Sequence, residues 1–72
     1  MTATEILSAY YSRTSISHPR RPLVEYRIVD TIKVKIEGQW VPHIVYSDGG
    51  MHYARQPEDF EKFSIFEKRT IQ

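Results

Sequence analysis

Three imidazoles, a short run of carboxylates and a set of tyrosines beside arginines are the side chains of this sequence able to do chemistry. His18, His43 and His52 lie 25 and 9 positions apart, and none shares a helix with another at the interval that places two metal ligands on one face. His43 and His52 flank one predicted hairpin and could face each other across it. No carboxylates converge on the pair in the sequence, so all three read as surface or part-buried histidines and no metal site is assigned. Ser47, Asp48 and His52 supply the residue types of a hydrolytic triad, but no Gly-x-Ser-x-Gly elbow presents the serine, and turn geometry accounts for the aspartate and glycines. Gly49-Gly50 lacks the strand-to-helix setting and the lysine of a phosphate loop. Glu58, Asp59 and Glu61 stand where the first turn of a proline-initiated helix uses acidic residues against its dipole. The sequence has no cysteine, which removes thiolate catalysis, thiolate metal ligation and disulfides together. No catalytic residue and no cofactor are therefore assigned, and the chain is expected not to be an enzyme.

The elements that must position these side chains follow from period and punctuation. The 72 residues suit one small domain with a thin stability margin. Thr2 and Glu5 form a capping box ahead of Ile6, Leu7, Tyr10 and Tyr11, which predicts a helix over residues 3–12, resting one apolar stripe on the rest. Residues 13–22 carry Pro19 and Pro22, show no sustained period and read as a proline-containing linker that keeps the helix from running on. From Leu23 the period is two: Val24, Tyr26 and Ile28, then Ile32, Val34 and Ile36, with a change of phase at Val29-Asp30 that marks a bulge in one long strand or a link between two. Gln39–Ser47 resumes strand character, with Pro42 at an edge or a bulge. Asp48-Gly49-Gly50 predicts a hairpin joining 41–47 to 51–55. Pro57 opens a helical turn over 57–62 with Phe60 and Phe63 inward, and Ser64–Ile71 offers a closing strand. The expected fold is mainly β, of α+β type: a small antiparallel barrel or rolled sheet over residues 23–72, one short N-terminal helix, and a single helical turn before the last strand. The predicted core holds Tyr26, Phe60, Phe63 and one of Ile65 or Phe66.

The run Ile44-Val45-Tyr46-Ser47-Asp48-Gly49-Gly50-Met51-His52-Tyr53-Ala54-Arg55-Gln56-Pro57-Glu58-Asp59-Phe60 resembles a family of small bacterial domains with an SH3-like barrel. Their pattern is a strand ending in Val-Val-Tyr, a glycine-containing hairpin, an aromatic-x-Arg-Pro step and a Phe that anchors the next turn. The resemblance covers about residues 24–66; Gln56 interrupts the Arg-Pro step, and the helix and linker are additions. It implies an SH3-like fold without an established activity. Since such domains bind through aromatics in loops and at the sheet rim, it also points to Trp40, Tyr46, Tyr53 and Arg55 as partner contacts. Trp40 has the competing reading of a plug in the barrel end.

Nine aromatic residues, 12% of the chain, exceed what so small a core can hide, and exposed Tyr and Trp beside Arg are enriched in interface hot spots. Arg20 and Arg21, held on the proline-containing stretch, read as solvated charge or as a docking motif for an acidic surface. The net charge is +1 and the isoelectric point about 8.1, with signs interleaved, which disfavours strong non-specific binding to DNA. The expected function is a non-catalytic protein-interaction module, a small bacterial or phage regulator or inhibitor of a larger protein. The alternative is a small nucleic-acid-binding domain using Arg27, Lys33 and Lys35 on a basic and aromatic sheet face. No apolar run approaches the length of a membrane span and no signal-peptide pattern opens the chain, so a cytoplasmic location is expected; self-association is open, with the helix packing on its own chain or on a second copy.

Overall fold

The computed structural model describes residues 1–67. Helix α1 (Ala3–Ser12) begins with the reciprocal bonds the sequence spells. Thr2 Oγ1 accepts from the Glu5 N–H at 3.1 Å, and the Thr2 N–H donates to Glu5 Oε1 at 2.9 Å. The prolines do not stop it: it ends at Arg13, whose left-handed backbone (φ 57°) turns its N–H back to the carbonyls of Ala9 and Tyr10. Its inward stripe is Ile6 and Ala9, while Leu7 and Tyr11 face outward.

Five strands follow: β1 (Ile16–His18), β2 (Arg21–Ile36), β3 (Gln39–Ser47), β4 (His52–Arg55) and β5 (Ser64–Ile65), with a 3-10 turn at Pro57–Phe60 before β5. They form one antiparallel sheet in the order β4-β3-β2-β1-β5. The stretch expected to be a linker is therefore part of the sheet. Ile16 is fully buried and Ser17 nearly so, and three residues are too few to display a period. Pro19 occupies the tight turn closed by His18 and Arg21, and Pro22 falls where the β1–β2 register shifts and a missing N–H is tolerated.

The expected closure into a barrel does not occur. β4 and β5, four and two residues long, are the two edges and, among the described residues, do not pair. The part of the expected closing strand from Lys68 through Arg69 to Ile71 lies outside the described residues. No helix among the described residues is long and apolar enough to cross a membrane.

Val29 is the extra residue of a bulge between Ile28 and Asp30, so β2 is one bent strand whose faces exchange at that point. On the near side Tyr26 and Ile28 face the core, with Ile28 opposite Tyr46. On the far side Thr31, Lys33 and Lys35 continue that face, opposite Ile44, Pro42 and Trp40. The core is Ile6, Ala9, Ile16, Tyr26, Ile44, Tyr46, Phe60 and Phe63. Phe66 is half-buried, whereas Ile65 stays 55% exposed. α1 packs on β2 and on the 3-10 turn, and the Met1 amine donates to the Phe60, Glu61 and Phe63 carbonyls.

β1 pairs with β2 only as far as Tyr26, and β4 with β3 only from Ile44. Beyond those limits β2 and β3 continue as a two-stranded arm, residues 31–43, closed by Glu37-Gly38. The molecule is accordingly elongated, 53 × 25 × 21 Å.

Candidate partner-binding site

The hairpin loop between β3 and β4 fixes the first side of the site. Asp48 Oδ1 accepts the N–H groups of Gly50 and Met51 at 2.9 and 3.0 Å, and Ser47 Oγ accepts that of Gly49 at 3.1 Å. Gly49 has φ 99°, a conformation that glycine adopts without strain. The loop's free carboxylate oxygen, Asp48 Oδ2, accepts the Tyr53 hydroxyl at 3.0 Å, which holds that ring against the sheet. These bonds, first those from Gly50 and Tyr53, keep the Asp48 carboxyl below its ordinary range. The same hydrogen bond raises the Tyr53 phenol. Ser47 and Asp48 thus serve the loop backbone, and no hydrolytic triad is assembled from them.

Tyr46 and Tyr53 are direct cross-strand partners, with ring centroids 5.4 Å apart. Tyr26 on β2 meets Tyr46 edge-on at 5.6 Å and Phe63 at 6.3 Å. Such edge-to-face pairs add to area burial and make a rigid aromatic floor. Over it, Arg55 Nε donates to the Tyr46 hydroxyl at 2.8 Å, and the Arg55 guanidinium lies 5.4 Å from the Phe63 ring centre. His18 stands edge-on to Phe63 at 5.0 Å, and its Nδ1 accepts the Arg20 N–H at 3.1 Å. That bond needs an unprotonated Nδ1 and organises the β1–β2 turn carrying Arg20 and Arg21. Burial, then the cations Arg55, Arg20, Lys62 and Arg21, hold His18 below the ordinary imidazole range.

The result is an open cleft of about 250 Å³ walled by these rings and rimmed by Arg20, Arg21 and Arg55. Five of the six partner-contact residues expected from sequence, Tyr46, Tyr53, Arg55, Arg20 and Arg21, line it together, but Tyr46, expected to be exposed, is buried, with 5% of its surface accessible, because it packs among Tyr26, Tyr53, Phe60 and Phe63. Trp40 does not. It is 64% exposed on the arm, with Lys35 Nζ 5.8 Å from its ring centre, and it plugs nothing. Sequence reasoning left out His18 and assigned Tyr26 and Phe63 to the core alone. His18 carried a usable signal, since His-Pro-Arg-Arg is a two-residue turn with both flanking side chains on one face.

The nucleic-acid residues are split by the bulge. Lys33 and Lys35 share the arm face of Trp40, while Arg27 lies on the opposite face across from Ser47 and pairs with Glu25 at 3.7 Å. The single basic sheet face expected from the three is not formed. His43 and His52 also fail to meet, because the register pairs His52 with Ser47, four positions along β3 from His43, and His18 lies on the other face in the cleft. Among the described residues no group of three His, Cys, Asp or Glu gathers to hold a metal ion. No family model, curated protein or solved structure matches the chain.

Proposed function

We propose that the chain is a non-catalytic protein-interaction module whose contact surface is the tyrosine–arginine cleft, and that it acts as a small regulator or inhibitor of a larger protein in the cytoplasm. The observation that carries this reading is the convergence of Arg20–Arg21 and Tyr53–Arg55, from two separate segments, around one open cleft floored by the buried Tyr46. Rigid rings flanked by arginines are the composition that dominates interface energetics. The fold is read with it as an SH3-like rolled sheet. Support comes from the long bent β2 shared by the two ends of the sheet, from β1 lying beside β5, and from the step in which β4 ends at Arg55, Pro57 opens a 3-10 turn and the fully buried Phe60 anchors it.

The test is affinity capture from a lysate of the encoding cell, followed by amide-exchange footprinting of the complex. Wild type and Trp40→Ala should recover the same protein, with protection at residues 18–21 and 46–55. The double variant Arg21→Ala, Tyr53→Ala should lose it. Equal recovery by the double variant overturns the reading.

One observation favours a second reading: Lys33, Lys35 and Trp40 share a face of a projecting arm, which suits a single nucleic-acid strand stacked on the indole. Binding of an oligonucleotide that falls steeply with salt and vanishes in Trp40→Ala would favour it over the first.

A further inference from the structure

We propose that the cleft recognises an acidic peptide segment, whose carboxylates pair with the guanidiniums of Arg20, Arg21 and Arg55 while a neighbouring side chain packs on the tyrosine floor. The inference rests on the interaction reading above and names the chemistry of its partner.

The cleft's arginines are unpaired among the described residues, and the carboxylates of Asp48, bonded to Tyr53, and of the adjoining groove stand outside its lining. Among the described residues none of its three arginines has a carboxylate within 4.0 Å, the one such pair being Arg27 with Glu25, and no Asp or Glu lines the cleft. Arg20 and Arg21 are exposed, so their planar donor forks are available for two-point contact with a carboxylate. Arg55 is already oriented by Tyr46 and stacked on Phe63, which lowers the ordering cost of a further bond. Of the four aromatic rings at the base only Tyr53 is half-buried, Tyr26, Tyr46 and Phe63 being core, so an apolar or aromatic side chain next to the acid covers Tyr53 above all.

The surroundings also set a direction. Glu58, Asp59 and Glu61 line the adjoining groove together with Arg20, Arg55 and Lys62, so of the three cleft arginines only Arg21 lies outside that groove. The leading acidic residue of the peptide therefore belongs over Arg21, with the chain running toward Arg20 and Arg55 and carrying no acid where it meets that groove. His18 reports on occupancy. It faces Arg20, Arg21, Arg55, Lys62 and, across the groove, Glu58, Asp59 and Glu61. A bound carboxylate at the arginine rim offsets the cations and draws the imidazole back toward its ordinary range.

The experiment is a titration of the folded chain, followed by backbone amide and imidazole NMR, with three blocked peptides of one length. They are Glu-Glu-Tyr-Pro-Ala, its Gln-Gln-Tyr-Pro-Ala counterpart and Lys-Lys-Tyr-Pro-Ala; an oligothymidylate is run alongside. The acidic peptide should shift amides of residues 18–21 and 53–55, weaken at least tenfold between 50 and 300 mM salt, as expected for exposed ion pairs when the Debye length is about 10 Å at 0.1 M, and raise the His18 titration midpoint. Arg20→Gln with Arg21→Gln, both exposed, should fold normally and lose that binding. Equal shifts from the glutamine peptide overturn the acidic preference but leave the cleft as an interaction surface. Oligothymidylate shifting the same amides more tightly overturns the peptide assignment. Absence of any shift at the cleft, with a captured partner protecting the arm instead, overturns both the inference and the reading under it.

Discussion

Phe60 and Trp40 are both large aromatic residues, and the chain uses them in opposite ways. Phe60 has no exposed surface and touches Tyr46 and Phe63 at centroid distances of 5.4 and 4.9 Å, so it locks the 3-10 turn to the floor of the cleft. Trp40 keeps most of its surface in water and contacts Lys35. Truncating a buried phenylalanine costs about 3–5 kcal/mol, against a total of roughly 4–11 kcal/mol for a chain of this size at the usual value per residue. Phe60→Ala should therefore remove about a quarter or more of the stability, and all of it at the low end of that range, and Phe60→Leu should fold with a clearly lower urea midpoint. Trp40→Ala should cost no more than about 1 kcal/mol, the upper value of an exposed cation–π pair. A Trp40→Ala midpoint as low as that of Phe60→Leu would mean that the indole is packed after all.

At the scale of elements, the arm is the part least supported by tertiary contact, because a lone two-stranded ribbon is marginal in water. Its turn is Glu37-Gly38, with both residues at positive φ, 49° and 81°. This is the geometry of a type I′ hairpin, which favours Asn-Gly. Glutamate at the first position is strained, so Glu37→Asn should relieve part of the roughly 1–2 kcal/mol left-handed penalty and slow amide exchange across residues 32–41 while leaving residues 44–47 unchanged. Unaltered exchange in the arm would show that the turn does not limit its opening. The arm was legible only in part. Alternation at Ile32, Val34 and Ile36 announced the strand, and the phase change at Val29-Asp30 announced the bulge. That the ribbon outruns its neighbours depends on the lengths of β1 and β4, and nothing in the residues of β2 or β3 encodes those. Local chemistry explains why α1, the Asp48–Met51 loop and the Pro57 turn were readable: caps, glycines and a proline act within a few residues. β1 was not readable, since Ile16 gains its place from Tyr26 and Ile65, ten and more positions away. The cleft divided along the same line. Its tyrosines and arginines stood out by type, while their meeting depended on the β1–β2 turn and the β3–β4 register.

For the molecule as a whole, four titratable groups bend the stability profile in ways that can be signed. Asp48 and Glu5 are held below their ordinary values of 3.8 and 4.5 by hydrogen bonds, those from the Gly50 backbone and from Thr2 leading. Their contributions are complete above those values and are lost as pH falls through the lowered folded ones. His18 is depressed below 6.5, chiefly by burial. Between its folded value and 6.5 the unfolded chain binds more protons than the folded one, so stability rises with pH across that window. Protonation also removes the Nδ1 acceptor that holds the Arg20 N–H, which ties the turn at the cleft rim to the same window. Tyr53 is raised above 10.0 by its bond to Asp48, so its contribution is present below that value and is lost as the pH climbs through the folded one. The four together place the stability plateau above the ordinary histidine value and below the ordinary tyrosine value. Urea midpoints taken from pH 3 to 11 should climb through about 6.5, stay level to about 10 and fall beyond. His18→Asn should flatten the rise near neutrality without moving the acid limb, which belongs to Asp48 and Glu5. A maximum near pH 5, or a neutral rise that survives His18→Asn, would show that the titration of this imidazole does not set the neutral slope and that the turn at the cleft rim is not tied to it.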